Sequence, residues 1–121
     1  MKYIKVKTQF EAQHQWKKAP EQVKFLRSLH RHIFYVSAKI EVEHNDRALE
    51  FFMVKKKIDQ IIFEILLKKG KNKIVQSCED SAEVILDYLE IYYPKRRIEV
   101  VVSEDHENEA GVNNHDNFLI I

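Results

Sequence analysis

Three histidines carry the strongest chemical signal in this chain. His14 ends a segment in which Ile4, Val6, Thr8, Phe10 and Ala12 share its phase, while Lys5, Lys7, Gln9, Glu11 and Gln13 fall opposite. His30 opens a second alternation, with His32, Phe34, Val36, Ala38, Ile40 and Val42 in step and Ser37, Lys39, Glu41 and Glu43 opposite. Period-two alternation is the signature of a strand with one buried face, so residues two apart share a side. If the two strands pair as an antiparallel hairpin, His14 and His30 lie abreast, and His32 joins them on the same face. Neutral imidazole is a good ligand for Zn²⁺. Three protein ligands leave a fourth position for water or substrate, the pattern of a catalytic rather than a structural zinc site. The competing reading is a set of hydrogen-bonded core histidines, since one His in an apolar phase and an isolated H-x-H both occur without a metal.

The elements that must position these rings follow from the rest of the chain. Strands are expected over Ile4 to His14 and His30 to Glu43, joined by a connection with Pro20 and a short helical piece around Glu21 to Leu26. His44-Asn45-Asp46-Arg47 supplies a turn. Between Glu50 and Lys69, the apolar residues Phe51, Val54, Ile58, Ile61, Ile62, Ile65 and Leu66 recur at helical spacing, with Gly70 placed as a C-terminal cap. A second helix is expected over Ser81 to Tyr92, with Asp80 as N-cap, Glu83 completing a capping box, and Pro94 just beyond the end. Arg97 to Ser103 reads as a third strand and Asn117 to Ile121 as a short fourth, with Glu104 to Asn117 a loose polar segment. This order implies an α+β class: a four-stranded antiparallel sheet covered on one face by two helices.

Composition narrows the function classes. The 121 residues are the size of one domain, expected to span 1–121, and 45% hydrophobic content is enough for a core. Twenty basic and 19 acidic residues are mixed along the chain and leave a net charge of +1, so no footprint points to nucleic acid or an anionic membrane. No apolar run approaches the roughly 20 residues of a membrane helix, and Met1-Lys2-Tyr3-Ile4-Lys5 lacks the apolar stretch of a secretory signal. One cysteine, Cys78, precludes an internal disulfide and fits a reducing, cytoplasmic setting.

Taken together, Phe10-Glu11-Ala12-Gln13-His14 and Leu29-His30-Arg31-His32 resemble the F-x-A-x-H and H-G-H motifs of the 6-pyruvoyl-tetrahydropterin and 6-carboxytetrahydropterin synthases. Leu49-Glu50-Phe51 is similar to the hydrophobic-Asp-Phe start of that family's first helix, Ser81-Ala82-Glu83 to the P-T-x-E start of its second, and Val100 to Glu104 to its strand ending in Glu-Thr. The likeness runs in order along nearly the whole chain. It implies the tunnelling fold (T-fold), with trimers closed through edge strands and stacked as hexamers. It also implies Zn²⁺ on His14, His30 and His32, a pterin-like or related purine-like ligand, and Glu104 as the carboxylate that holds the ring edge. A carboxylate suits that role because it accepts two parallel N–H bonds.

The chain also departs from the pattern. The family's cysteine shortly before the first His of H-G-H falls here on Leu26, which exchanges no protons, and Glu21 lies too early to replace it. The family's Asp-His dyad, counted from Phe51, falls on Leu66-Leu67. The adjacent pair Asp105-His106 is the candidate for a relocated dyad, with a polar loop as the plainer account. General acid–base groups contribute roughly 10²- to 10⁴-fold each, so turnover is expected to be low even where zinc and ring binding survive. Arg31, in place of the family's Gly, points away from the metal, and Cys78 is read as an ordinary cysteine. Three readings stay open: a divergent zinc-dependent synthase, a non-catalytic ligand-binding or interaction protein on the same scaffold, and a structural domain with incidental histidines.

Overall fold

The computed structural model describes residues 1–67, 71–74 and 76–115. The first alternating segment is strand β1 (Tyr3–His14), and the second is β2 (His30–Glu41). They pair antiparallel over their whole length, from Tyr3 opposite Glu41 to His14 opposite His30. The intervening segment contains one irregular 3₁₀ stretch (Glu21–Arg27). Two further strands, β4 (Ile98–Glu104) and β5 (Asn108–Asn113), extend the sheet on the β2 side. On the other side, the two-residue β3 (Lys73–Ile74) runs parallel to the end of β1, opposite Gln13 and His14. Among the described residues the sheet thus has five strands in the order β3-β1-β2-β4-β5, and it is mixed rather than purely antiparallel.

Two helices, α1 (Phe51–Ile61) and α2 (Cys78–Tyr92), cover one face. Val54, Ile58 and Ile61 of α1 and Ile85, Leu86 and Leu89 of α2 are buried with Val6, Phe10 and Ala12 of β1, Phe34, Val36, Ala38 and Ile40 of β2, and Ile98, Val100 and Val102 of β4. Full burial of one such large side chain contributes about 1.5–3 kcal/mol. A one-residue slip of β1 or β2 would turn its whole set outward, so the core pins the register and with it the histidine phase. Among the described residues, no helix is long and apolar enough to cross a membrane.

Several boundaries differ from the sequence expectation, each for a local reason. The segment read as a loose loop after Glu104 contains β5, an edge strand whose Asn108 and Glu109 are exposed, so hydrophobic alternation is weak there. β3 is too short for any periodicity to show. α2 begins three residues early: the N-cap is Ser77, whose hydroxyl accepts from the Asp80 N–H at 3.1 Å, so Asp80 lies inside the first turn and no Asp80–Glu83 capping box forms. α1 is capped by Glu50, whose carboxylate accepts from the Phe52 and Met53 amides at 2.9 and 3.1 Å, and it passes into a π-helical turn over Ile62–Leu66. The Gly70 cap and the Asn117–Ile121 strand lie outside the described residues.

Candidate functional site

The hairpin register delivers the three imidazoles to one end of the core-facing side, just beyond the stacked rings of Phe10 and Phe34. Ring centroids are 4.8 Å apart for His30–His32, 5.4 Å for His14–His30 and 6.4 Å for His14–His32. Two of the rings are held from outside the cluster. The Nδ1 of His30 lies 2.8 Å from the Ser28 carbonyl oxygen, and the Nδ1 of His32 lies 2.6 Å from Oδ2 of Asp105. Both acceptors require a proton on Nδ1, which leaves each Nε2 as a lone-pair donor. The buried Nε2 of His30 and Nδ1 of His14 have no partner, and an unpartnered buried nitrogen is costly. Burial lowers the pKa of His14 below its ordinary value. Glu104 opposes that shift, while His30 and His32 reinforce it, so the ring is held neutral.

These are the donor types zinc takes: imidazoles, two of them oriented through Nδ1 by carbonyl and carboxylate acceptors so that Nε2 is the nitrogen offered. As they stand, no three or more His, Cys, Asp or Glu side chains among the described residues are gathered tightly enough to hold a metal ion. The donor chemistry therefore fits the metal, while closing the coordination shell requires the rings to draw together.

Asp105 owes its place to an unusual turn. Asp105 and His106 connect β4 to β5 with φ of 51° and 61°, and the Glu107 N–H closes the turn on the Glu104 carbonyl at 2.9 Å, as in a type I′ turn. Left-handed backbone costs a non-glycine residue on the order of 1 kcal/mol. Contacts to β2 offset it: the Asp105 N–H donates to the Ile33 carbonyl at 2.8 Å, and the Ile33 N–H donates to Asp105 Oδ1 at 2.9 Å. The carboxylate thus replaces a main-chain carbonyl in the ladder while its other oxygen meets His32. The Ile33 amide first, and His32 next, hold the Asp105 carboxyl below its ordinary range. His106 goes elsewhere. Its ring stacks on Tyr35, whose position on β2 is out of phase with His32 and Phe34, so it lies on the opposite face of the sheet from the three imidazoles. Asp105 and His106 are therefore not brought together as a proton-relaying pair.

Glu104, the last residue of β4, reaches the same region. Its Oε2 lies 4.0 Å from Nε2 of His32, and its Oε1 accepts from the Cys78 thiol at 3.7 Å. Cys78 is the first residue of α2, a position where a thiol is usually acidified. Here burial, followed by the Glu104 carboxylate and Glu79, pushes it up to about 12, so it is a thiol donor and not a nucleophile. A cleft of about 560 Å³ opens here, lined by His14, Trp16, Cys78 and Glu104, with Glu79 and Glu109 on its walls. Sequence reasoning missed Cys78 and Trp16 as cleft residues, because only the packing of α2 beside the ends of β1 and β4 makes them neighbours. Leu26 sits half-buried in the 3₁₀ stretch, Glu21 is exposed and paired with Lys24 and Arg27, and Leu66 and Leu67 are core residues. None of these positions carries a proton-transfer group into the cleft.

Comparison with protein families finds no match to the sequence, and comparison with curated proteins finds none either. Solved structures do match. The 6-pyruvoyl tetrahydropterin synthase of Plasmodium vivax superposes with a TM-score of 0.63 at 15% identity, over 94% of this chain and 99% of that one. The chain has the synthase fold. The Plasmodium falciparum synthase gives a TM-score of 0.58 at 16% identity, covering 93% and 97% of the two chains. The uncharacterized protein WS1659 of Wolinella succinogenes gives 0.65 at 16% identity, covering 94% and 99%. At this identity the likeness establishes the synthase fold alone, and the chemistry has to be argued from the residues present.

Proposed function

We propose that the protein binds one zinc ion through His14, His30 and His32 and holds a pterin-like or related purine-like ring in the adjoining cleft, with Glu104 accepting from the ring's N–H edge. The observation that carries this reading is the cluster of three imidazoles with buried, unpartnered nitrogens on His14 and His30. A bound zinc supplies Lewis acidity toward the ligand's oxygens. His14 stays neutral through burial, Asp105 fixes the tautomer of His32, and Glu104 orients the ring. Leu26 and Leu66-Leu67 offer no proton carrier and His106 faces away, which favours binding with little 6-carboxytetrahydropterin synthase turnover over full catalysis. The edges of the sheet favour self-assembly. Among the described residues, β1 is paired on its outer side at Gln13 and His14 alone, and β5 is the last strand on the other side. Lys5 and Lys7 along β1 and Glu107 and Glu109 at β5 are complementary for head-to-tail pairing into a trimer, which doubles to a hexamer. The free Cys78 suits a reducing, cytoplasmic compartment.

Metal analysis of protein purified without chelators is expected to give close to one zinc per chain, lost in the variant carrying both His30→Ala and His32→Ala. Absence of zinc, together with no thermal stabilisation on adding it, would overturn the reading. With dihydroneopterin triphosphate, the zinc-loaded protein is expected to bind but form little product, and robust product formation would show that a proton carrier exists outside the groups named.

A further inference from the structure

Trp16, the only tryptophan in the chain, stands two residues beyond His14 on the wall of the same cleft and is 47% exposed. Other large apolar side chains, Phe25 and Phe52 among them, are more exposed, so exposure alone assigns no role; what sets Trp16 apart is an indole on the wall of the cleft that also holds His14 and Glu104. Its main chain is anchored, since its N–H donates to the Leu26 carbonyl at 2.8 Å and its carbonyl accepts from the Ala19 N–H at 3.2 Å. Among the described residues the indole has no aromatic partner, in contrast to Tyr35 beneath His106. The backbone is thus placed while the ring is left open toward the cleft.

The lining of the cleft says what kind of molecule would cover that ring. Glu79, Asp80, Glu104 and Glu109 line it, and among the described residues no Lys or Arg does, so this lining repels anions and accepts N–H donors. β1, which leads to Trp16, and β4, which ends at Glu104, are two strands apart in the sheet. That separation is about 10 Å, wide enough for a fused two-ring system between them. We propose that Trp16 is the stacking wall of this cleft, selecting a planar heteroaromatic ring that meets the indole face-on and directs an amidine-like N–H edge at Glu104. Any phosphate on such a ligand must then leave the cleft away from the four carboxylates. This assignment rests on the cleft being the ligand site, but it adds a residue and a requirement for planarity that the three histidines do not supply.

The test uses the zinc-loaded full chain, with neopterin as the ring probe and methylguanidine as a probe with a similar N–H edge and no ring, both followed by titration calorimetry. Stacking on an aromatic side chain is worth roughly 5- to 150-fold by alanine substitution. Trp16→Ala and Trp16→Leu are therefore expected to weaken neopterin binding about 10- to 100-fold and Trp16→Phe less than about fivefold, with methylguanidine unchanged throughout. Leucine keeps apolar bulk without a ring face, so it guards against a misfolded alanine variant, and thermal melts verify each fold. Neopterin affinity that is equal in wild type, Trp16→Ala and Trp16→Leu would overturn the stacking role while leaving the cleft reading intact. Failure of wild type to bind neopterin would remove both.

Discussion

Replacing Asp105 with asparagine tests how the histidine cluster is organised. The substitution keeps an oxygen to accept from the Ile33 N–H, so the turn and the ladder bond survive. It also places an NH₂ donor where Oδ2 now lies 2.6 Å from Nδ1 of His32. Facing a donor, Nδ1 must become the acceptor, and the imidazole proton moves to Nε2, the nitrogen offered to the metal. Loss of such an outer partner typically lowers metal affinity 10- to 100-fold. Because the asparagine selects the wrong tautomer rather than merely leaving the ring loose, the upper end is expected, near 100-fold or about 2.7 kcal/mol. Stability without metal should change by less than about 1 kcal/mol, since the carboxylate is partly exposed and its ion pair is screened. Zinc affinity by chelator competition and chemical unfolding of the metal-free protein separate the two effects. The unfolding also has a pH signature. The Asp105 carboxyl is held below its ordinary value, so its contribution is present above that value, about 3.9, and is lost as pH falls through the lower folded-state value. Asp105→Asn should flatten this acid loss. Zinc affinity within twofold of wild type would refute the tautomer argument.

Three further outcomes follow from the geometry. Ser77→Ala removes the side-chain acceptor that caps the start of α2 and should cost about 1 kcal/mol, read as a lower melting temperature; an unchanged melt would place the N-cap elsewhere. With its pKa near 12, Cys78 should alkylate slowly at pH 8 and speed up as pH rises toward that value, whereas a titration midpoint close to that of a free thiol, near 8.5, would contradict the Glu104 contact. Light scattering should report a trimer-based assembly that charge reversal of Lys5 and Lys7 to Glu weakens, and a wild-type mass near the 14.5 kDa monomer at micromolar concentration would rule out edge pairing.

How far the residues alone led varies by element. β1 and β2 were legible because each has a long run with one dry and one wet face, and α1 because its buried Val54, Ile58 and Ile61 keep helical spacing. β5 and β3 were not: an edge strand with exposed Asn108 and Glu109, and a two-residue strand, are made by backbone pairing and leave no hydrophobic period. The start of α2 was misplaced because Ser77 and Asp80 are both good caps, and which one serves depends on where the chain enters the helix.

For the candidate site the division is similar. The sequence by itself determined that His14, His30 and His32 share a phase, that Leu26 carries no reactive group, and that Glu104 ends an apolar strand, because these are matters of residue type and local period. Only the tertiary structure decided that Asp105 buttresses His32 across 73 positions of chain, that His106 turns to Tyr35 on the other face, and that Cys78 and Trp16 border the cleft. Those outcomes depend on a left-handed turn whose cost is offset by contacts to a distant strand, and on a helix packed across strand ends, neither of which leaves a repeating signal along the chain.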